Sequence, residues 1–431
     1  MLNKFNIKNS VPYSHKYSST HPTVMEIRDN IWEELPIDKS KKVELKKECL
    51  TNTILNLKSG WYNNYYIRYS RWKNYYADIP NRYKPEYFTY TIMTGIIDGL
   101  ESQGMLKSIP GFMNLNDNSK LQSAMCATDK LFKVIEPIKN KMLVDVIPPE
   151  SIILKNRKTK QNKDYKNTRT TNKMRDELSL YNELRQNTNL SMTGMTPELF
   201  NLHRIYFNKY SITEIRPETT SIDLSNPYVY RVFSGSFKDG GRFYNGIESN
   251  APSELRKKIL INGNATVEKD YSSLHINMLY NMKGLDLKEN AYDKVSQGDP
   301  GLRKLFKLIG LTSINSDNQR SCFLALRNEI RDNGLKIYFH DLSDKSIEKF
   351  YNQWVDAHPA IKDYLNSDIG IKLQYRDSQL AADIIKYFTG KSITVLVVHD
   401  SFIIEKKHES ELVDKMKEVY KRKFNFEPKV I

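Results

Sequence analysis

Cysteine is scarce: Cys49, Cys126 and Cys322 are the only three, set far apart. An odd number at such spacing makes neither a disulfide framework nor a zinc-ligand pattern, so a reducing interior is the simplest compartment. Long apolar runs are also missing. The longest, residues 393–398, is interrupted by Thr394 and far too short to cross a bilayer, and the polar first twenty residues hold no apolar signal segment. A cytoplasmic protein with no membrane partner is expected. Acidic residues are in deficit, 51 Asp and Glu against 66 Lys and Arg, and the resulting +15 attracts polyanions such as nucleic acid. Solubility alone accounts for such charge as well.

What is present suffices for two or three domains with their own cores, since 39% of 431 residues are hydrophobic. Ile27, Ile31 and Trp32, then Val43, Leu45, Leu50 and Leu55, predict helices before residue 60. Residues 61–73 interleave Trp, Tyr, Arg and Lys, a mixture suited to stacking bases and neutralising phosphates, or to buried aromatic packing. A helical run over 87–106 meets Gly104, and the residues after it predict a short strand and wing, so this part resembles the end of a winged-helix unit. Residues 155–176 are basic and polar without apolar period, which predicts a solvated linker or a loop that orders on a phosphate backbone. Helical period resumes over 175–206, and beyond it short β-type runs alternate with helices. The expected domains are 1–150, 151–205 (basic linker and helix) and 206–431.

The two strongest predicted strands, 265–271 and 393–399, each bring an aspartate to their end: Asp270 and Asp400. Transfer of a nucleotide to a growing strand needs two divalent cations held between carboxylates, one activating the attacking hydroxyl and one steadying the leaving pyrophosphate. Arg303 and Lys307, four residues apart, share one helical face and suit a triphosphate.

Asp270-Tyr271-Ser272 resembles motif A of family A DNA polymerases, and His399-Asp400-Ser401-Phe402 resembles motif C of the single-subunit phage RNA polymerases. Arg303-x-x-x-Lys307 resembles the first half of that family's motif B. Gly240-Gly241-Arg242 resembles the G-R segment before motif A, and residues 375–386 resemble the helix before motif C. The five stand in the family's order over roughly residues 237–405.

The resemblance implies an α+β right-hand palm, an antiparallel sheet with helices and small fingers; it does not extend to the N-terminal half, which reads from its own pattern as a mostly helical domain. It implies two Mg²⁺ ions, or Mn²⁺, held by the catalytic Asp270 and Asp400 with the Tyr271 carbonyl. Arg303, Lys307, Leu311, Asn315 and His275 would contact the nucleotide, and Arg242, Gln379, His399 and Ser401 the nucleic acid. Its partners are a DNA template, a primer strand and nucleoside triphosphates, and its reaction is addition to a 3′-hydroxyl with release of pyrophosphate. The alternatives are a phage-type RNA polymerase or primase that starts chains unaided, and a palm kept only as a nucleic-acid-binding replication or regulatory factor.

Two positions depart from the family. Asn315-Ser316 replaces its Tyr-Gly, and His275 stands where DNA polymerases have glutamate and RNA polymerases glycine. The bulk of His275 favours deoxynucleotides by excluding a 2′-hydroxyl; a hydrogen bond to that hydroxyl is the other reading. His340 and His358 read as structural residues in polar surroundings. His399-Asp400 as a phosphohydrolase pair is set aside because it ends an apolar strand-like run, and no exonuclease acid cluster is evident.

Overall fold

The structure is a computed structural model that describes residues 10–15, 17–62, 64–113, 120–138, 144–145, 150–194, 204–207, 212–213, 220–223 and 228–431. Their buried apolar side chains form two principal cores, one from Tyr17 to Ile138 and one from Ile152 to Tyr420.

The first core joins helices to a small sheet. Strand β1 (Val11–Pro12) precedes helix α1 (Pro22–Glu34), which starts where Pro22 takes the first helical position and His21 accepts from Thr23 N. Helix α2 (Val43–Tyr62) is buried almost continuously from Cys49 to Gly60 and forms the centre of the unit. After β2 (Ile67–Tyr69), helix α3 (Tyr90–Ser102) stops at Gly104, whose φ of 66° suits glycine. Strands β3 (Leu106–Ile109) and β4 (Ser123–Ala127) then pair antiparallel, giving the sheet order β1-β2-β4-β3, and α4 (Asp129–Ile135) closes the unit. The predicted helix, glycine and strand are thus in place. The unit is not simply helical, however, because the four strands complete its core.

Residues 61–73 belong mainly to that core. Tyr65, Tyr66, Ile67 and Tyr69 are buried, Trp61 stacks on Phe132 at 4.6 Å, and Arg71 pairs with Asp98; Tyr62, Trp72 and Lys73 are exposed, Trp72 most of the aromatics at 63%. Packing, rather than base stacking, accounts for the run.

The expected linker is ordered. Strand β5 (Ile152–Lys155) carries Ile152 and Leu154 into the second core, and helix α5 (Arg169–Gln186) begins with a capping box between Thr168 and Thr171. Helix α5 ends twenty residues short of the predicted 206, and β6 (Leu190–Met192) follows; residues 195–203 lie outside the described ones. The division at 205/206 therefore does not separate cores. Arg82 ties the two units, donating to Glu150, Asp164 and the Tyr165 carbonyl.

In the second unit, β7 (Tyr230–Ser234) pairs parallel with β5 and antiparallel with β8 (Ser236–Tyr244). Strands β9 (Ile259–Ile261) and β10 (Asn264–Asp270) lead to helix α6 (Leu274–Met282), α7 (Pro300–Asn315), α8 (Gln319–Asp332), α9 (Asp344–Ala357) and α10 (Gly370–Thr389). Strands β11 (Leu396–Val398) and β12 (Ser401–Glu405) and helix α11 (Glu409–Phe424) complete it. The antiparallel sheet runs β6-β9-β10-β12-β11. Its alternate residues divide with period two: Val397, Phe402 and Ile404 face the main core, while Leu396, Ile403 and Ile259 face a smaller one with Met192 and Leu255. The chain is thus α+β, and no described helix is long and apolar enough to cross a membrane.

Candidate active site

Strand pairing brings the two aspartates together. Asp270 ends β10 opposite Ser401 of β12, and Val398 pairs with Ser401 so that His399 and Asp400 form a two-residue turn. His399 takes a φ of 59° there, the left-handed conformation such hairpin turns require. On the other side of β10, Ile431 bonds the backbone of Asp270 in both directions at 2.9 and 3.0 Å, and Ser272 N donates to the Lys429 carbonyl. That ladder leaves out the Tyr271 carbonyl. The Tyr271 ring is buried, with its hydroxyl donating to the Met416 carbonyl.

Asp270 is pushed up to about 7, by burial first and then by the Asp400 charge, with Lys307 pulling it back. Its Oδ1 is buried without a hydrogen-bond partner. Two carboxylates so placed cannot both ionise cheaply without a cation between them, and oxygen donors of this kind suit Mg²⁺ or Mn²⁺. Among the described residues no group of three or more His, Cys, Asp or Glu could hold a metal ion. A cation here would therefore draw its remaining ligands from backbone and substrate oxygens, and the residues fit that arrangement. Glu268, on the same face of β10, is occupied: Arg256 clasps it and Ser401 Oγ donates to it at 2.7 Å.

A cavity of about 460 Å³ opens over the pair. Helix α7 starts where Asp299 accepts from Leu302 N ahead of Pro300, and this sets the rotation that turns Arg303, Lys307, Leu311 and Asn315 into the cavity. Arg303 lies 5.6 Å over the Tyr292 ring and 3.5 Å from Asp293, and Asn315 donates to the Leu311 carbonyl. His275, from α6, lines the same space, so all the expected nucleotide-contacting residues share it.

The expected nucleic-acid contacts fare less uniformly. Arg242 lines the cavity but is held by Asp377, with Nη2 at 2.5 Å and Nε at 3.0 and 3.2 Å from the carboxylate. The glycines before it serve the fold rather than approach to nucleic acid. Gly240 and Gly241 have φ of 73° and 87° at a bulge of β8, and a Cβ on Gly241 would meet Phe233 at 2.6 Å and Ser378 Oγ at 3.0 Å. Gln379 does not line the cavity; the rotation of α10 presents Gln374 there instead and buries Asp377 and Ser378. His399 lies outside the cavity lining, its Nδ1 buried without a partner and its protonation disfavoured by burial first and then by Arg242. Ser401 is buried on Glu268. His340 is exposed, whereas His358 is buried, bonded to Tyr280 and the Ala291 carbonyl at 2.9 and 2.8 Å, a structural role in apolar surroundings.

Sequence reading missed Asp377, Gln374 and Tyr292. Only the helical period of residues 370–389 could have pointed to the first two, once the cavity-facing side was known. No protein-family model matches this chain, and no curated protein matches it either. The chemical reading therefore rests on one arrangement: two carboxylates, one with an unpartnered oxygen, facing a helix that presents Arg303 and Lys307.

Proposed function

We propose that the chain is a template-directed nucleotidyltransferase with a palm and minimal fingers, adding nucleotides to a 3′-hydroxyl on a primed DNA template and releasing pyrophosphate. The observation that carries this reading is the Asp270 carboxylate, its Oδ1 buried without a hydrogen-bond partner, beside Asp400 in a cavity that also holds Arg303 and Lys307. Asp270, Asp400 and the Tyr271 carbonyl would hold Mg²⁺ or Mn²⁺, which supplies Lewis-acid stabilisation to the entering and leaving oxygens. Arg303 and Lys307 bind the triphosphate oxygens and neutralise charge on the departing pyrophosphate. Lys307 already opposes the Asp270 charge and so links the nucleotide to the carboxylate pair. The Ile431 and Tyr271 contacts hold the backbone of Asp270, so its carboxylate is positioned before substrate arrives.

The test is incorporation of labelled nucleotides of both sugar types on a primed DNA template. Asp400→Ala is expected to lower the rate by roughly 10³-fold, several kcal/mol of transition-state stabilisation, with folding and DNA binding retained. Undiminished incorporation by this variant would reject the site. DNA binding without incorporation by the wild type would leave a nucleic-acid-binding factor instead.

A further inference from the structure

Resting on the nucleotidyl-transfer reading, we propose that His275 reads the sugar through an unprotonated Nδ1, that Asp377 is the positioning residue that sets this tautomer, and that the substrates are ribonucleoside triphosphates.

The cavity has an internal order. Arg303, Lys307, Leu311 and Asn315 succeed one another along α7, a span of about 18 Å at ~1.5 Å per residue, which accommodates an extended nucleotide. The cationic pair and the nearby aspartates take the triphosphate, and Leu311 and Asn315 take the base. The sugar then lies between them, in the space His275 also lines.

The hydrogen bonds of His275 fix its state. Its Nε2 is 2.8 Å from Asp377 Oδ2 and 3.3 Å from Arg242 Nη2. One ring nitrogen cannot both donate to the carboxylate and accept from the guanidinium. The shorter contact to a charged acceptor prevails, and Arg242 Nη2 is already satisfied by Asp377 at 2.5 Å. Nε2 therefore carries the proton, which leaves Nδ1 an acceptor. Asp377 has no exposed side-chain surface and is gripped by Arg242, so the ring cannot turn over without breaking that cluster. Nδ1 makes no hydrogen bond among the described residues and is not one of their sealed, unpartnered atoms. It is open to a ligand in the cavity.

A hydroxyl satisfies such an acceptor, whereas a methylene displaces its water and returns nothing. A ribose 2′-hydroxyl donates to Nδ1 and a deoxyribose cannot. This reverses the steric reading of the same side chain.

The experiment compares kcat/KM for matched ribo- and deoxyribonucleoside triphosphates on one primed template, for the wild type, His275→Ala and Asp377→Asn. The wild type is expected to favour the ribonucleotide about 10- to 100-fold. His275→Ala should erase that preference by raising KM for the ribonucleotide more than for the deoxyribonucleotide, so that the two kcat/KM values converge. Asp377→Asn, whose amide can turn its NH₂ toward Nε2 and move the ring proton to Nδ1, should narrow the ratio in the same direction. A merely structural role would lower both sugars together. If Asp377→Asn folds poorly, His275→Ala still decides. A deoxyribonucleotide preference in the wild type, relaxed by His275→Ala, overturns the sugar reading alone. Incorporation of neither sugar overturns the transfer reading and this inference with it.

Discussion

The two cores handle buried polar groups differently. In the N-terminal unit such groups are spent mostly on backbone and hydroxyl partners, with Arg68 Nε left over. Asn52 donates to the Tyr17 carbonyl at 2.7 Å, Asn56 accepts from Ser14 N and donates to the Ser14 carbonyl, and Ser59 bonds Tyr65 at 2.6 Å. The Cys49 and Cys126 thiols, pushed up to about 12 and about 11 by burial, are inert. The second unit does so only in part, since Asp239 Oδ1, Trp354 Nε1, Asn366 Oδ1 and Thr389 Oγ1 are buried without a hydrogen-bond partner. There Asn182 bonds both backbone groups of Val229, and Arg185 and Glu248 form a wholly buried pair. What sets the end of β10 apart is that Asp270 keeps a buried oxygen with nothing to bond and has a second carboxylate beside it. A group that costs folding free energy and serves no packing is best explained by what it binds.

The sharpest way to break this contrast is Asp270→Asn, which keeps the shape and removes the charge. Incorporation should fall by roughly 10³-fold. Metal-free stability should move the opposite way. Asp270 binds its proton more tightly folded, at about 7, than at its ordinary 3.8. The stability this lends is fully present below about 3.8 and lost as pH rises through about 7. In chelator at pH 8, the Asn variant should therefore be more stable than the wild type by roughly 2–4 kcal/mol, with little difference at pH 4. Urea unfolding at both pH values checks it; a variant less stable at pH 8 would mean the carboxylate serves the fold.

The N-terminal side of the contrast is tested by Asn56→Leu. Removing the amide strands the Ser14 backbone contacts and is expected to cost about 1–3 kcal/mol. Incorporation per folded molecule should stay within about twofold, well inside the scatter of coupled surface effects. A larger loss with folding intact would show that the N-terminal unit enters the chemistry.

The sequence exposed what local period carries. Asp270 and Asp400 were readable because each ends a strand-like run, and Arg303 and Lys307 because residues four apart share a helical face, with Leu311 and Asn315 following from the resemblance. What it could not show depends on contacts between distant segments. Asp377 lies 135 residues from Arg242 and 102 from His275, so their cluster leaves no local mark. Gln379 was misplaced because its side of α10 is decided by packing on β8, where Gly241 lets Ser378 approach. Ser401 and His399 were assigned to nucleic acid from the resemblance to motif C; alternation and the turn place both outside the cavity lining. The 151–205 linker reading failed for a related reason: the short apolar strand Ile152–Lys155 stands directly before the basic stretch, and its parallel pairing with β7 shows that Ile152 and Leu154 are core.

That basic segment gives the gentlest test of where the molecule's charge is used. Residues 156–160 form a turn in which Asn156 Oδ1 accepts from Lys158 N and Thr159 N, and Lys160 takes a φ of 59°. Asn162 bridges back to Lys155, and Arg157 pairs with Asp368, just ahead of α10. Lys158, Lys160 and Lys163 are exposed, and no carboxylate among the described residues forms an ion pair with them. In the aromatic and basic run of the N-terminal unit, by contrast, Tyr65, Tyr66 and Tyr69 are packed and Arg71 is paired with Asp98. If the turn carries phosphate contacts, replacing the three lysines by alanine should lower the slope of log affinity against log salt by roughly 2–3 on duplex DNA. Affinity near 0.1 M salt should weaken about five- to tenfold, with incorporation at saturating primed DNA unchanged. An unaltered slope would make the turn a solvated face and place the DNA contacts elsewhere, with the β3–β4 hairpin beside α3 the next surface to probe.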